Sequence, residues 1–436
     1  MIVMNLRPVF VSFLLAGAAS LAACSGGGGG SAGGGNVGTS VVATATPTPP
    51  ATGATAPAAA TTPPPADARL VFAQGFYANV IAHVGGAREL AALPNGDLLV
   101  GTTGSSIAIV PNADGAGVAG APTTFIALSE GPASGIAYGP SGSIYAATNT
   151  TIWRIAYTQG DRSESNASAI SHVRTGPVSP TTDGDIHTTT SVAASATSVY
   201  AGVGSSCNAC VETDPTRASV QQMNLDGSNM TRLATRIRNP IALTLNPATG
   251  SLWVGGAGQD DLSPYGHPYE YMDSPTLRGS SNVDYGWPAC EENHLAYNAL
   301  HVTPTPNCAT TVAPTVEFPA YSTLIGATFY PVNQSGPYAF PASYRGGLFV
   351  TSHGSWHCCP ASAPRVYFVP MSGDAPLTPV NWSNAAVQGQ QIISGFGSSA
   401  SASGYIGRPT GIAVGPSGSL FVADDATGNI LRIRHL

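Results

Sequence analysis

The stretch GRPTGIAVGPSGSLFVADDATGNILRI, residues 407–433, sets the pattern for most of the chain. It runs Gly-x-Pro, a short apolar segment, a Pro-Ser-Gly turn, a second apolar segment, a polar turn and a third apolar segment. Proline and glycine adopt φ values suited to corners rather than strand interiors. Three short runs of aliphatic and β-branched residues between such corners predict an antiparallel meander. The central run recurs as Leu98-Leu99-Val100, Ile144-Tyr145-Ala146, Val199-Tyr200-Ala201, Leu252-Trp253-Val254, Leu348-Phe349-Val350 and Leu420-Phe421-Val422. The first four copies lie about 46 to 55 residues apart, and the last intervals are longer. A period of roughly 40–50 residues with several short strands per repeat predicts an all-β, six-bladed β-propeller with four strands per blade. The long intervals are expected to carry inserted loops. Residues 75–84, GFYANVIAHV, read as one strand left over at the front, while the last copy is one strand short. The leftover strand is expected to complete the sixth blade and close the ring, which removes free sheet edges.

Ahead of the propeller, residues 1–23 hold one charge, Arg7, and then an apolar run over residues 9–23 that is short for a membrane anchor. Leu21-Ala22-Ala23-Cys24 resembles the bacterial lipobox, which implies cleavage before Cys24 and lipidation of that cysteine. An ordinary signal peptide is the alternative. Ser25 replaces the Asp that favours inner-membrane retention, so the expected location is the periplasmic side of the outer membrane. Residues 24–67, rich in Gly, Pro, Ala and Thr, lack the apolar content for a core and read as a tether. The propeller is expected to occupy residues 68–436.

The 436-residue chain is mildly acidic, with formal net charge −7. All 16 of its cationic side chains are Arg. The absence of a basic patch excludes nucleic acid as a partner. Besides Cys24 there are six cysteines. Cys207 with Cys210 and Cys290 with Cys308 read as local disulfides in an oxidising compartment, and the adjacent Cys358 and Cys359 as a vicinal one. The alternative is a zinc site built from Cys207, Cys210, Cys358 and Cys359.

Loops feeding the innermost strands of a propeller ring one mouth of its channel, where ligands bind. Those loops hold Arg88, the run Asp183-Gly184-Asp185-Ile186-His187, the run Arg236-Ile237-Arg238-Asn239-Pro240, and Arg408; His353 lies beside the fifth core strand. Guanidinium groups offer paired donors that suit carboxylate or phosphate and stay charged. Three of them gathered without acids nearby imply an anionic ligand.

The residues also carry a family resemblance. ARELAALPNGDLLVGT (87–102), VYAGVGSSCNACVETDPTRASV (199–220), RIRNPIALTLNPATGSLWVGGAGQD (236–260), DYGWPAC (284–290) and YRGGLFVTSHGSW (344–356) resemble the soluble quinoprotein sugar dehydrogenases, in particular their sorbosone dehydrogenase-like branch. That resemblance implies a channel mouth holding pyrroloquinoline quinone (PQQ) and Ca²⁺. It assigns Arg88, Arg238, Asn239, His353 and Arg408 to the cofactor and main-chain oxygens of Gly258 and Gln259 to the metal. It makes His187 the general base that takes a hydroxyl proton as hydride leaves a sugar or aldehyde hydrate. Two departures stand out. Thr190 occupies a position where the family often has Arg, and the Lys that soluble glucose dehydrogenases place on the cofactor has no counterpart. A cofactor-free propeller serving as a lipid-anchored binding module is the alternative function. A lactonase-type hydrolase ranks behind it, because few carboxylates are directed at a channel metal.

Overall fold

A computed structural model describes residues 62–175, 186–260, 266–296, 307–355, 362–397 and 404–436. Cys24, the leader, most of the tether, Cys358 and Cys359 lie outside the described residues.

Six antiparallel sheets form the blades of a propeller. Each copy of the repeated run becomes the second strand of its blade: Leu98–Thr102, Ser143–Ala147, Ser198–Val203, Leu252–Gly255, Leu348–Ser352 and Leu420–Asp424. These strands are buried on both faces, between the neighbouring blades, and for that reason read as unbroken apolar runs rather than alternating ones. The innermost strands are Ala87–Ala92, Gly135–Tyr138, Thr190–Ala194, Ala242–Leu245, Leu324–Phe329 and Pro409–Val414, each in contact with the next round the axis. They approach so closely that a Cβ on Gly411 would stand 2.2 Å from the Arg88 carbonyl oxygen, so glycine is required there.

Closure follows the sequence expectation. Phe76–His83 pairs antiparallel with the final strand, Asn429–His435, in the register Tyr77↔Arg434 and Val80↔Leu431. Phe76 fixes this seam by packing edge-on against Phe340, Tyr344 and His435 at centroid distances of 5.1, 5.0 and 4.9 Å. Arg432 adds a second tie: almost fully buried, it donates to the carbonyls of Ala113, Gly115 and Gly117 in the first blade's outer loop.

The structure departs from four strands per blade in two places. Val71–Phe72 adds a fifth strand to the fifth blade, against Gln390–Ser394. Val283–Asp284, inside the long insertion of the fourth blade, reaches back and pairs parallel with Thr231–Thr235 of the third. The same insertion carries the Cys290–Cys308 disulfide. Ordered pairing also begins ahead of residue 68: Val80 donates to the Pro64 carbonyl and Ala66 to that of Ala78, at 2.9 and 3.0 Å.

Phe76→Ala is expected to cost about 3–5 kcal/mol, the range for truncating a buried aromatic. Urea unfolding of the two proteins checks this; an unchanged midpoint would show that the seam does not carry the stability of the ring.

Candidate active site

The innermost strands begin, and the second strands end, at the same mouth of the channel. The opposite end is ringed by Ala92, Tyr138, Ala194, Leu245, Thr328 and Val414, none of which is charged. The charged end is made of two groups.

The first group spans blades one, five and six. Asp425, just past the second strand of the sixth blade, accepts from Arg88 Nη1 at 2.8 Å through Oδ2 and from His353 Nε2 at 2.9 Å through Oδ1. Arg408 donates from Nε to the His353 carbonyl at 3.0 Å and from Nη2 to those of Gly354 and Ser355 at 3.0 and 3.3 Å. Its guanidinium also lies over the Tyr405 ring, 5.8 Å from the centroid. Burial pushes His353 down to about 4 despite the adjacent carboxylate, so the imidazole is neutral at pH 7 and donates its proton to Asp425. Burial pushes the Asp425 carboxyl up, but the hydrogen bond from His353 and the charge and hydrogen bond of the Arg88 guanidinium together hold it below its ordinary value.

The second group spans blades three and four. His187 Nδ1 lies 2.8 Å from the Ser205 carbonyl oxygen and 3.0 Å from Ser205 Oγ. A carbonyl only accepts, so the ring proton sits on Nδ1 and Nε2 is the basic nitrogen. Burial, then the positive charges of Arg238, Arg174 and Arg217, hold His187 well below its ordinary value. Arg238 is sequestered: Nε donates to the Asn208 carbonyl, and Nη2 to Asn208 Oδ1 and Asp260 Oδ2, all at 3.0 Å. Asn239 lies against His187 across Gly204. A Cβ there would stand 2.5 Å from His187 Cβ and 2.6 Å from Asn239 Oδ1, so glycine leaves room for both side chains.

Next to Arg238 runs the Gly258-Gln259 turn. The Gly258 amide points at Glu270 Oε1, 3.4 Å away. Gln259 donates its amide to the Pro288 carbonyl at 2.8 Å and to Glu291, while its Oε1 is buried without a hydrogen-bond partner. Burial pushes both Glu270 and Glu291 up to about 8.

The structure thus joins Arg88, His353 and Arg408 in one group and His187, Arg238 and Asn239 in another, on one mouth. It also gives each of these arginines a partner within the protein: Asp425 pairs with Arg88, Asp260 with Arg238, and backbone carbonyls receive Arg408. The Cys207–Cys210 disulfide is formed, so those sulfurs are not the thiolates a zinc site needs. Arg174, from beyond the outermost strand of the second blade, reaches the Thr189 carbonyl at 3.0 Å and Thr190 Oγ1 at 3.4 Å. A guanidinium therefore stands beside Thr190 although the sequence position itself holds none. Sequence reasoning also passed over Asp425, Ser205 and Asn208. Only Asp425 carried a signal, in the acidic pair that follows the sixth repeated run.

The sequence profile of the TrAA12-like family matches residues 70–436. No curated protein matches the sequence. Among solved structures, the chain is similar to a Trichoderma reesei enzyme of carbohydrate-active family AA12, with TM-score 0.69 and 18% identity over 88% of this chain and 100% of that one. It is similar to the PQQ domain of Coprinopsis cinerea pyranose dehydrogenase in its holo form, with TM-score 0.68 and 19% identity over 84% of this chain and 97% of that one. Apo soluble aldose sugar dehydrogenase of Escherichia coli aligns with TM-score 0.52 and 15% identity, over 83% of this chain and 100% of that one.

Asp425→Asn removes the charge shared by Arg88 and His353, and about 1.5–3 kcal/mol of stability is expected to go with it at pH 7. Because the folded-state value of Asp425 is depressed, its contribution is complete above the ordinary carboxylate range and is lost as pH falls through the folded value. Melting temperatures of the variant and the parent should differ at pH 7 and converge as pH falls below the ordinary carboxylate range.

Proposed function

The chain belongs to the TrAA12-like family, and we propose that it is a PQQ-dependent dehydrogenase that oxidises a sugar, or a related alcohol or aldehyde of the sorbosone type, with His187 as general base. The observation that carries this reading is the state of His187: its Nδ1 proton is held by Ser205, and its Nε2 is left basic beside a channel mouth lined with guanidinium groups.

The residues present fit the cofactors. PQQ bears three carboxylates and an ortho-quinone, and the mouth offers Arg88, Arg408 and Asn239 as donors that would hold it, with His353 beside Arg88 and Arg238 beside the base. The buried, unpartnered Gln259 Oε1 stands on the turn whose Gly258 and Gln259 carbonyls would hold Ca²⁺, a hard cation that takes oxygen ligands. When bound, PQQ supplies the hydride acceptor.

The chain's own residues do the rest. His187 Nε2 takes the proton of the substrate hydroxyl. Burial, with Arg238 close enough to weigh on that imidazole, keeps it unprotonated in the resting state. The fixed guanidinium groups favour negative charge developing at the mouth, and being already oriented they need no rearrangement to do so. Asp425 orients Arg88 and His353 on the opposite side.

A second reading rests on the partners these arginines already have. With Arg88, Arg238 and Arg408 each bonded within the protein, the mouth is stable without an anion, as a cofactor-free binding module would require. In either case we place the protein on the periplasmic face of the outer membrane, tethered through Cys24.

Calorimetry of chelator-treated protein with PQQ and Ca²⁺ separates the two readings, since uptake is expected only of the dehydrogenase. The loaded protein should reduce a dye with members of a panel of aldoses and sorbosone. His187→Ala is expected to bind PQQ and lose about 10²–10⁴ in kcat, as befits a general base. Full activity in that variant would remove His187 from the chemistry. Because the base must be unprotonated and its value is lowered, kcat/KM should hold through pH 6.5 and fall only further into acid.

A further inference from the structure

The two halves of the His187 and Arg238 group meet in one small loop. Ser205 and residues 207–210 lie between the second and third strands of the third blade, and the Cys207–Cys210 disulfide closes the loop on itself. Both cysteines are buried, in a cluster with Ala218 and Trp287. We propose that this disulfide-closed loop is the positioning element of the site, with Ser205 setting the proton on His187 and Asn208 setting the guanidinium of Arg238. The proposal rests on the roles just given to those two residues.

Ser205 is committed before it meets the imidazole. Its hydroxyl donates to the Cys207 carbonyl at 2.6 Å, so the oxygen has only lone pairs to offer His187 Nδ1. Its own carbonyl, 2.8 Å from the same nitrogen, likewise only accepts. Nδ1 therefore faces two acceptors, and the Nε2–H tautomer has no favourable arrangement. The carbonyl that commits the hydroxyl belongs to a half-cystine, so the tautomer is tied to the geometry of the closed loop.

Asn208 has every polar group of its side chain engaged. Oδ1 accepts from Arg238 Nη2 at 3.0 Å and from the Asp260 amide at 2.9 Å, and Nδ2 donates to the Asp260 carbonyl at 3.0 Å. Its backbone carbonyl accepts from Arg238 Nε at 3.0 Å and from Trp287 Nε1 at 3.2 Å. Two acceptors on one residue thus grip the guanidinium along one edge, which fixes its plane as well as its place. The two-point clasp on Asp260 ties the same residue to the Gly258-Gln259 turn. The disulfide-closed loop, through Ser205 and Asn208, thus ties base, arginine and turn together.

Asn208→Ala, Asn208→Asp, Ser205→Ala and the paired Cys207→Ser/Cys210→Ser change in the full chain test this. Nitrogen-15 NMR of the imidazole, assigned with His187→Gln, is expected to report the Nδ1–H tautomer in the parent and a mixture in the paired cysteine variant. Exchange of the Arg238 Nη2 protons is expected to quicken at least tenfold in Asn208→Ala, which removes Oδ1 and leaves the backbone carbonyl that holds Nε. With PQQ and Ca²⁺ added, Asn208→Ala should weaken PQQ binding about tenfold or more, and Asn208→Asp, which keeps two acceptors for Arg238, should recover most of that loss. Ser205→Ala should bind PQQ within about twofold of the parent and lower kcat with little change in KM. If the parent binds no PQQ, the dehydrogenase reading fails, and the tautomer and exchange rates still decide the positioning role. Parent-like tautomer, exchange and PQQ affinity in Asn208→Ala and in the cysteine variant would overturn it, and so would a loss confined to melting temperature.

Discussion

The structure depends on one pairing of distant segments: the hydrogen-bonded seam between Phe76–His83 and Asn429–His435. A meander of blades without it would end in two open sheet edges, each a template for wrong pairing. With it, the sixth blade is built from both ends of the propeller sequence, and the first and sixth blades become neighbours. The seam therefore creates part of the mouth as well as the ring. Arg88 and Asp425 are 337 residues apart and meet at 2.8 Å because the ring is closed. Thr410 Oγ1, donating to the Ala87 carbonyl at 3.1 Å, makes the same junction one layer deeper in the channel.

Burial decides the electrostatics of the mouth. Desolvation is the leading influence on His187, His353, Arg238 and Arg408, and in each it works against the charged form. The imidazoles respond by staying neutral. The guanidinium groups, whose ordinary value is far higher, stay charged and recruit Asp425, Asp260 and a row of carbonyls. The result is a mouth in which opposite charges alternate and are oriented in advance. Such preorganisation suits chemistry in which charge builds up during reaction, because the cost of aligning dipoles has been met during folding.

Much of the fold was legible in the sequence because it rests on local chemistry. Turn residues and apolar runs identified all six second strands and the closing strand, and the positions of the cysteines both described disulfides. The fifth strands were not legible: Val71–Phe72 and Val283–Asp284 are two residues long and carry no period to detect. The start of the ordered chain was also misjudged. Pro63 and Pro64 read as tether, yet they lend carbonyls to the edge of the sixth blade, where a proline's missing N–H costs nothing. In the site, the side chains at the starts of the innermost strands were legible from register. Their partners were not. Asp260, Asn208 and Ser205 come from second-strand ends and inserted loops, and only the radial packing of adjacent blades decides which of these reaches which guanidinium.

The double use of Asp425 has a kinetic meaning. It stands one residue past a second strand whose next neighbour, Asn429–His435, is the strand zipped to the front of the chain. Any fraying of that zipper loosens the turn between them and lets Arg88 and His353 drift apart. Loss of the mouth's geometry on warming should thus run ahead of global melting, with the seam acting as a fuse for it.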